Sequence, residues 1–146
     1  IQRKRLMDAL AALSAALVRM LDEPESKQRA AEDINLFIVQ NYLLVAHVAA
    51  LRAILRRHAR DIPSDAVNAM LATSHASVCR TLSVALSRHT GATPPAAPLR
   101  REAGAEPVVN WSGWPLVQRR IRLLQADADK IIVHSEAIVR NVEANA

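Results

Sequence analysis

The sequence predicts an all-α fold, an antiparallel bundle of about four long helices with a Pro-rich linker before the last helix. Hydrophobic residues make up 51% of the chain and aromatic residues only 3%, so small and aliphatic side chains supply the apolar mass. Glycine occurs three times, which argues against a β-rich fold with many tight turns. Apolar residues recur at alternating steps of three and four, the spacing typical of helices packed side by side.

The first helix is predicted over about 2–21 and the second over about 26–59. Pro24 ends the first helix, because proline disfavours helical backbone before it, and Ser26 can cap the second. The seam of the first helix consists of Leu6, Leu10, Leu13, Leu17 and Met20. The seam of the second consists of Ala30, Ile34, Phe37, Asn41, Leu44, Val48, Leu51 and Leu55. The short breaks after the first and second helices imply antiparallel neighbours.

The third helix is predicted over about 64–89, and the fourth over about 115–142. The linker over 90–114 contains a proline-rich stretch that cannot be helical, and Pro115 then suits a first helical turn. The third seam consists of Val67, Leu71, Ser74, Val78, Leu82 and Ala85. The fourth consists of Val117, Ile121, Leu124, Ala128, Ile131, Ser135, Ile138 and Val142. At 146 residues the chain is expected to be a single domain, with the position of the fourth helix left open.

The second helix is apolar on more than one side. Between Leu36 and Leu55 there is no acidic residue and one basic residue, Arg52. This stretch is long enough to cross a bilayer, but its polar residues would be unfavourable in lipid. We therefore favour a central helix buried on more than one side. The candidate interface on its second side is formed by Leu36, Val39, Leu43 and Ala46.

Three polar or aromatic residues are candidates for special roles. Asn41 falls on the seam of the second helix, where a buried amide can fix register and partner choice; the alternative is a rotation that brings it to water. Trp111 and Trp114 precede the fourth helix. They can anchor the linker onto the open end of the bundle or stack on an aromatic ligand. The anchor is favoured, because no other aromatic residue is interleaved with the basic ones.

The sequence offers no catalytic, cofactor or metal site, and we expect no enzyme activity. A phosphate-binding loop, a nucleophile elbow and a paired-carboxylate motif are all lacking. His75 and Cys79 share a helix face, but two ligands do not make a metal site. The net charge of +5 comes largely from small arginine clusters, which are typical of a solvated helix face or of a surface that meets anions. Nucleic-acid binding is disfavoured, because no recognition motif accompanies the clusters.

One segment resembles a known family. Residues 4–14 and 20–24 are similar to the start of the C-terminal cytoplasmic region of bacterial inner-membrane proteins of the fusaric-acid-resistance and aromatic-acid-exporter family. There a basic pair precedes an Ala/Leu-rich helix that ends in Met-Leu-x-Glu-Pro, and Leu43-Leu44 and Ala50-Leu51 are also similarly placed. The chain departs from the family at 7–8, Met-Asp for His-Asn, and at 41–42, Asn-Tyr for His-Thr.

This resemblance implies a non-catalytic soluble domain of a transporter-like protein that exports aromatic or other organic acids. The domain would serve assembly or regulation on the cytoplasmic face of the inner membrane, as a homo-oligomer that also contacts the rest of its parent protein. Because the chain begins at Ile1 inside a predicted helix, we expect it to be a fragment of that parent. The alternatives are a free-standing helical protein-interaction module and, more weakly, a basic nucleic-acid-binding bundle.

Overall fold

The computed structural model describes residues 2–24, 28, 30–62, 64–90 and 111–144. It confirms the all-α prediction, since these residues form four helices and no strand. The helices are α1 (Gln2–Leu21), α2 (Ala31–Arg57), α3 (Ser64–Thr90) and α4 (Trp114–Glu143). Most of the predicted linker, 91–110, lies outside the described residues.

The start of α2 differs from the prediction. The helix begins at Ala31, and its N-cap residue Ala30 has a φ of 56° without a side-chain cap. A positive φ is unfavourable for a residue with a Cβ. Glu32 and Asp33 in the first turn favour a helix start here, because acidic side chains complement the partial positive charge at a helix N-terminus. The predicted cap, Ser26, lies outside the described residues.

Helix α4 occupies the centre of the bundle. It packs most extensively on α2 and then on α3, whereas α1 packs on α2. Asn141 near the end of α4 bonds Asp33 near the start of α2, so these two helices are antiparallel. Helices α3 and α4 run parallel, because Val67 near the start of α3 lies in one core cluster with Trp114 and Val117 at the start of α4.

The hydrophobic core is concentrated where α2 ends and where α3 and α4 begin. Its buried members are Leu51, Val67, Trp114, Val117 and Leu124. The structure buries most of the predicted α4 seam, with Val117 and Ala128 fully enclosed. Val142 is the exception at 50% exposure. It lies beyond Asn141, which already pairs with the first turn of α2, so no further turn of α2 can cover it.

Helix α2 is rotated relative to its predicted seam. Val48, expected inside, is 51% exposed, whereas Gln40 is buried and His47 is half-buried. The face toward α4 therefore consists of Gln40, Leu44, His47 and Leu51. These residues keep the helical spacing of three and four, but the helix is rotated about its axis relative to the predicted seam. The rotation has a physical reason, because Gln40 and His47 share a buried partner on α4.

Candidate functional site

A buried polar cluster joins α2 to α4. Asp127 lies on the inner face of α4 and is 4% exposed. Its Oδ1 accepts a hydrogen bond from Nε2 of Gln40 at 2.6 Å, and its Oδ2 lies 2.6 Å from Nδ1 of His47. Gln40 and His47 are two helical turns apart, so both reach the same carboxylate from one face of α2. Nδ1 and Oδ2 are within hydrogen-bond distance, and the tautomer of His47 determines which of the two groups donates.

The polar cluster of Gln40, His47 and Asp127 can fix how α2 and α4 align. A shift of one turn along either helix would separate these groups and leave buried donors and acceptors without partners, which is unfavourable by roughly 1–3 kcal/mol for each group. Within the described part of the chain, His47 makes no hydrogen bond to a hydroxyl or thiol.

Asn41 does not take part in this cluster. The structure places it at the edge of the packed face of α2, half-buried. Its Nδ2 donates to the carbonyl oxygen of Phe37 in the same helix at 2.8 Å. Its neighbour Gln40 makes the cross-helix bond instead. The sequence held one signal for this, a Gln and a His seven residues apart in the acid-free stretch that starts at Leu36, with an Asp beside the α4 seam.

The predicted interface residues lie on a flank of α2, beside the face that packs on α4, since Leu36 and Leu43 are four and three residues from Gln40. Leu36, Val39 and Leu43 are 39%, 46% and 42% exposed, and Ala46 is exposed as well. Their spacing of three and four places them in one row along the helix, which we call the outer strip. No Asp, Glu, Lys or Arg occurs between Leu36 and Leu51, so the outer strip is both apolar and uncharged.

The two tryptophans lie where α4 begins. Trp114 is buried in the core, and the half-buried Trp111 packs against the same core cluster. The Trp111 ring also meets the ring of His58 edge to face, with centroids 5.3 Å apart. A side chain on Gly113 would overlap the Trp111 ring, so glycine is needed for this close approach. These contacts fix the start of α4 beside the end of α2; the linker that precedes them is outside the described residues.

Two other sequence features can be placed. Sγ of Cys79 and Nε2 of His75 are 3.4 Å apart on the exposed side of α3. Among the described residues, no group of three or more His, Cys, Asp or Glu side chains could hold a metal ion.

One described helix, α2, is long and apolar enough to cross a membrane. Length and composition alone are weak evidence, because the core helix of a soluble protein passes the same test. Only 11% of its most apolar window is buried within the chain, and its other residues are half-buried or exposed.

Comparison with models of protein families, with curated proteins and with solved structures finds no match. The chain's own geometry and the sequence resemblance are therefore the grounds for a functional proposal.

Proposed function

We propose that this chain is a non-catalytic helical domain that self-associates through the outer strip of α2. The observation that carries the proposal is that α2 buries polar side chains and exposes apolar ones. The helix encloses Gln40 on its α4 side while it exposes Leu36, Val39 and Leu43 on the adjacent flank. Contiguous apolar surface of this kind is typical of interaction sites.

A second copy of the chain suits the outer strip. In a two-fold symmetric interface each residue row meets its own equivalent, so a charged row would bring like charges together. The outer strip avoids this because it carries no charge. Ala46 adds a small side chain to the row, which lets two helices approach closely. Burying the exposed two-fifths of each large apolar side chain would contribute roughly 0.6–1.2 kcal/mol before the cost of association.

We also propose that the domain belongs to a transporter-like inner-membrane protein and lies on the cytoplasmic face of that membrane. The support is the resemblance of residues 4–14 and 20–24 to the fusaric-acid-resistance and aromatic-acid-exporter family. The exposed Lys4 and Arg5 near the start of α1 suit the cytoplasmic side of a membrane. The cargo of such a parent would be aromatic or other organic acids, as the family resemblance implies.

The structure disfavours a membrane location for α2 itself. Helix α4 packs along α2 and would have to enter the bilayer with it. Arg119, Arg122 and Lys130 of α4 are exposed, and each would be unfavourable by roughly 2.5–3.5 kcal/mol at the membrane centre. A bundle outside the membrane, with its outer strip against another protein surface, is therefore the better account.

Light scattering of the fragment over a range of concentrations tests self-association. We expect the mass to rise above the 16.0 kDa of one chain as concentration increases. Leu43→Asp should keep the fragment monomeric, because pairing would bury the new charges. Val133→Asp is the matched control, since Val133 is exposed on α4 at 58%; this variant should associate like the wild type.

Circular dichroism checks that both variants keep their helical content. A wild type that stays monomeric at every concentration would contradict self-association, and so would an equal loss of association in both variants. Sequencing the gene upstream of this fragment tests the parent separately: membrane-spanning segments support a transporter-like protein, whereas a start codon close to Ile1 supports the free-standing module.

A further inference from the structure

A second surface of α2 has a different chemistry from the outer strip. A groove of about 560 Å³ runs between the first turns of α1 and the second half of α2. Its apolar walls include Leu6 of α1 and Val45, Val48 and Ala49 of α2, and Arg52 and Arg56 lie at the end toward the α2 C-terminus. We call it the α1–α2 groove. A second hollow of about 450 Å³ shares Val48 and both arginines and extends the groove toward Ala59.

The size and lining of the α1–α2 groove fit a small molecule. Ligand pockets commonly measure about 300–1,000 Å³ and combine apolar walls with a few polar groups. Here Leu6 and Val48 are 40% and 51% exposed, so they present apolar surface that a ligand would remove from water. Apart from the arginines, every side chain in the lining is aliphatic. A ligand body that needs hydrogen-bonding partners would find none there.

The two arginines give the groove one cationic end. Arg52 and Arg56 are four residues apart, which places them one above the other on the helix. Both are exposed. Within the described part of the chain, the ion pairs are His47 with Asp127 and His58 with Asp61, and neither arginine has a carboxylate partner. Guanidinium groups bind carboxylates through paired hydrogen bonds, so this end of the groove suits an anionic head group.

We propose that the α1–α2 groove binds a free aliphatic monocarboxylate, a fatty-acid-like anion. The chain of the ligand lies against Leu6, Val45, Val48 and Ala49, and its carboxylate pairs with Arg52 and Arg56. The aliphatic lining suits the alkyl chain of the ligand. The two arginines, which lack a carboxylate partner in the described chain, suit the single carboxylate of the ligand. The groove residues are separate from the outer strip, so this inference does not rest on the proposed self-association.

Calorimetric titration with dodecanoate, below the concentration at which it forms micelles, tests the proposal. We expect saturable binding of one dodecanoate per chain. The double variant Arg52→Gln/Arg56→Gln should weaken binding at least about tenfold, because charge-assisted hydrogen bonds to a carboxylate are lost. The control Arg119→Gln/Arg122→Gln removes the same charge from the exposed surface of α4 and should leave the affinity unchanged. Dodecanol, which has the same chain without the charge, should bind at least about tenfold more weakly.

Three results would overturn the proposal. Equal weakening in both double variants would show that general positive charge, and not the groove, attracts the anion. Equal binding of dodecanol would remove the role of the arginines. Binding to phosphatidylglycerol vesicles without binding of free dodecanoate would assign the surface to a membrane instead. All four substituted arginines are on helix surfaces, and circular dichroism checks that each variant remains folded.

Discussion

Two neighbouring faces of α2 differ in the kind of side chain that they bury. The face toward α4 encloses the side chains of Gln40 and His47, whereas the adjacent flank leaves Leu36, Val39 and Leu43 about two-fifths or more exposed. Soluble proteins usually bury the second kind of residue and expose the first. The burial of a helix face is decided by the surface that it meets, here a carboxylate on α4 for Gln40 and His47, whereas the outer strip is only partly covered.

Burial of polar side chains on the face toward α4 does not destabilise the fold, because these groups are hydrogen-bonded to each other. Asp127 makes a hydrogen bond at each carboxylate oxygen, and among the described residues no buried side-chain nitrogen or oxygen lacks a partner. Polar pairs of this kind specify one alignment more than they add stability. The outer face has no such constraint, so substitutions on the two faces of α2 should differ in effect.

The largest difference is expected between Leu51 and Val48, three residues apart on α2. Leu51 is 9% exposed and belongs to the core, whereas Val48 is 51% exposed. Leu51→Asp should destabilise the fold by at least about 4 kcal/mol, because it places an unpaired charge in the core. Val48→Asp should change the free energy of unfolding by less than about 1 kcal/mol. Urea unfolding followed by circular dichroism measures both, and similar losses would show that α2 has no open face.

The next largest effect concerns the polar cluster. Asp127→Ala removes the hydrogen-bond partner of Gln40 and His47 together and should lower the free energy of unfolding by about 3 kcal/mol, since two enclosed polar groups lose their partner. The control is Asp129→Ala, an exposed residue of the same helix, which should change stability by about 0.5 kcal/mol or less. The midpoint of urea unfolding gives the comparison. Equal losses of stability in Asp127→Ala and Asp129→Ala would mean that water can replace Asp127 as the hydrogen-bond partner of Gln40 and His47.

The sequence predicted the parts of the fold that depend on local signals. The spacing of α4 marks its buried stripe, and Pro24 and Pro115 mark the end of one helix and the start of another because proline constrains neighbouring backbone. The cluster of Gln40, His47 and Asp127 was not predicted, since Gln40 and Asp127 are 87 residues apart and no local pattern pairs them.

The rotation of α2 was missed for a related reason. Apolar residues cover more than one side of this helix, so the spacing is compatible with several orientations. Val48 fits the seam by spacing, yet the buried carboxylate on α4 selects the face that carries Gln40 and His47. The exposure of Leu36, Val39, Leu43 and Ala46 agrees with a free second side, while their role in association stays a prediction.

The smallest effect is expected from Val39, in the middle of the outer strip. Val39→Ser removes apolar surface that is already 46% exposed, so the free energy of unfolding of the monomer should change by about 0.5 kcal/mol or less. The adjacent Ile38 is 5% exposed, and Ile38→Ser should lower it by about 2–4 kcal/mol, because the change opens a cavity and buries a hydroxyl. Urea unfolding at low concentration, where association does not contribute, measures both variants. A loss at Val39 close to that at Ile38 would mean that the chain covers its own outer strip, and the contrast between the two faces of α2 would disappear.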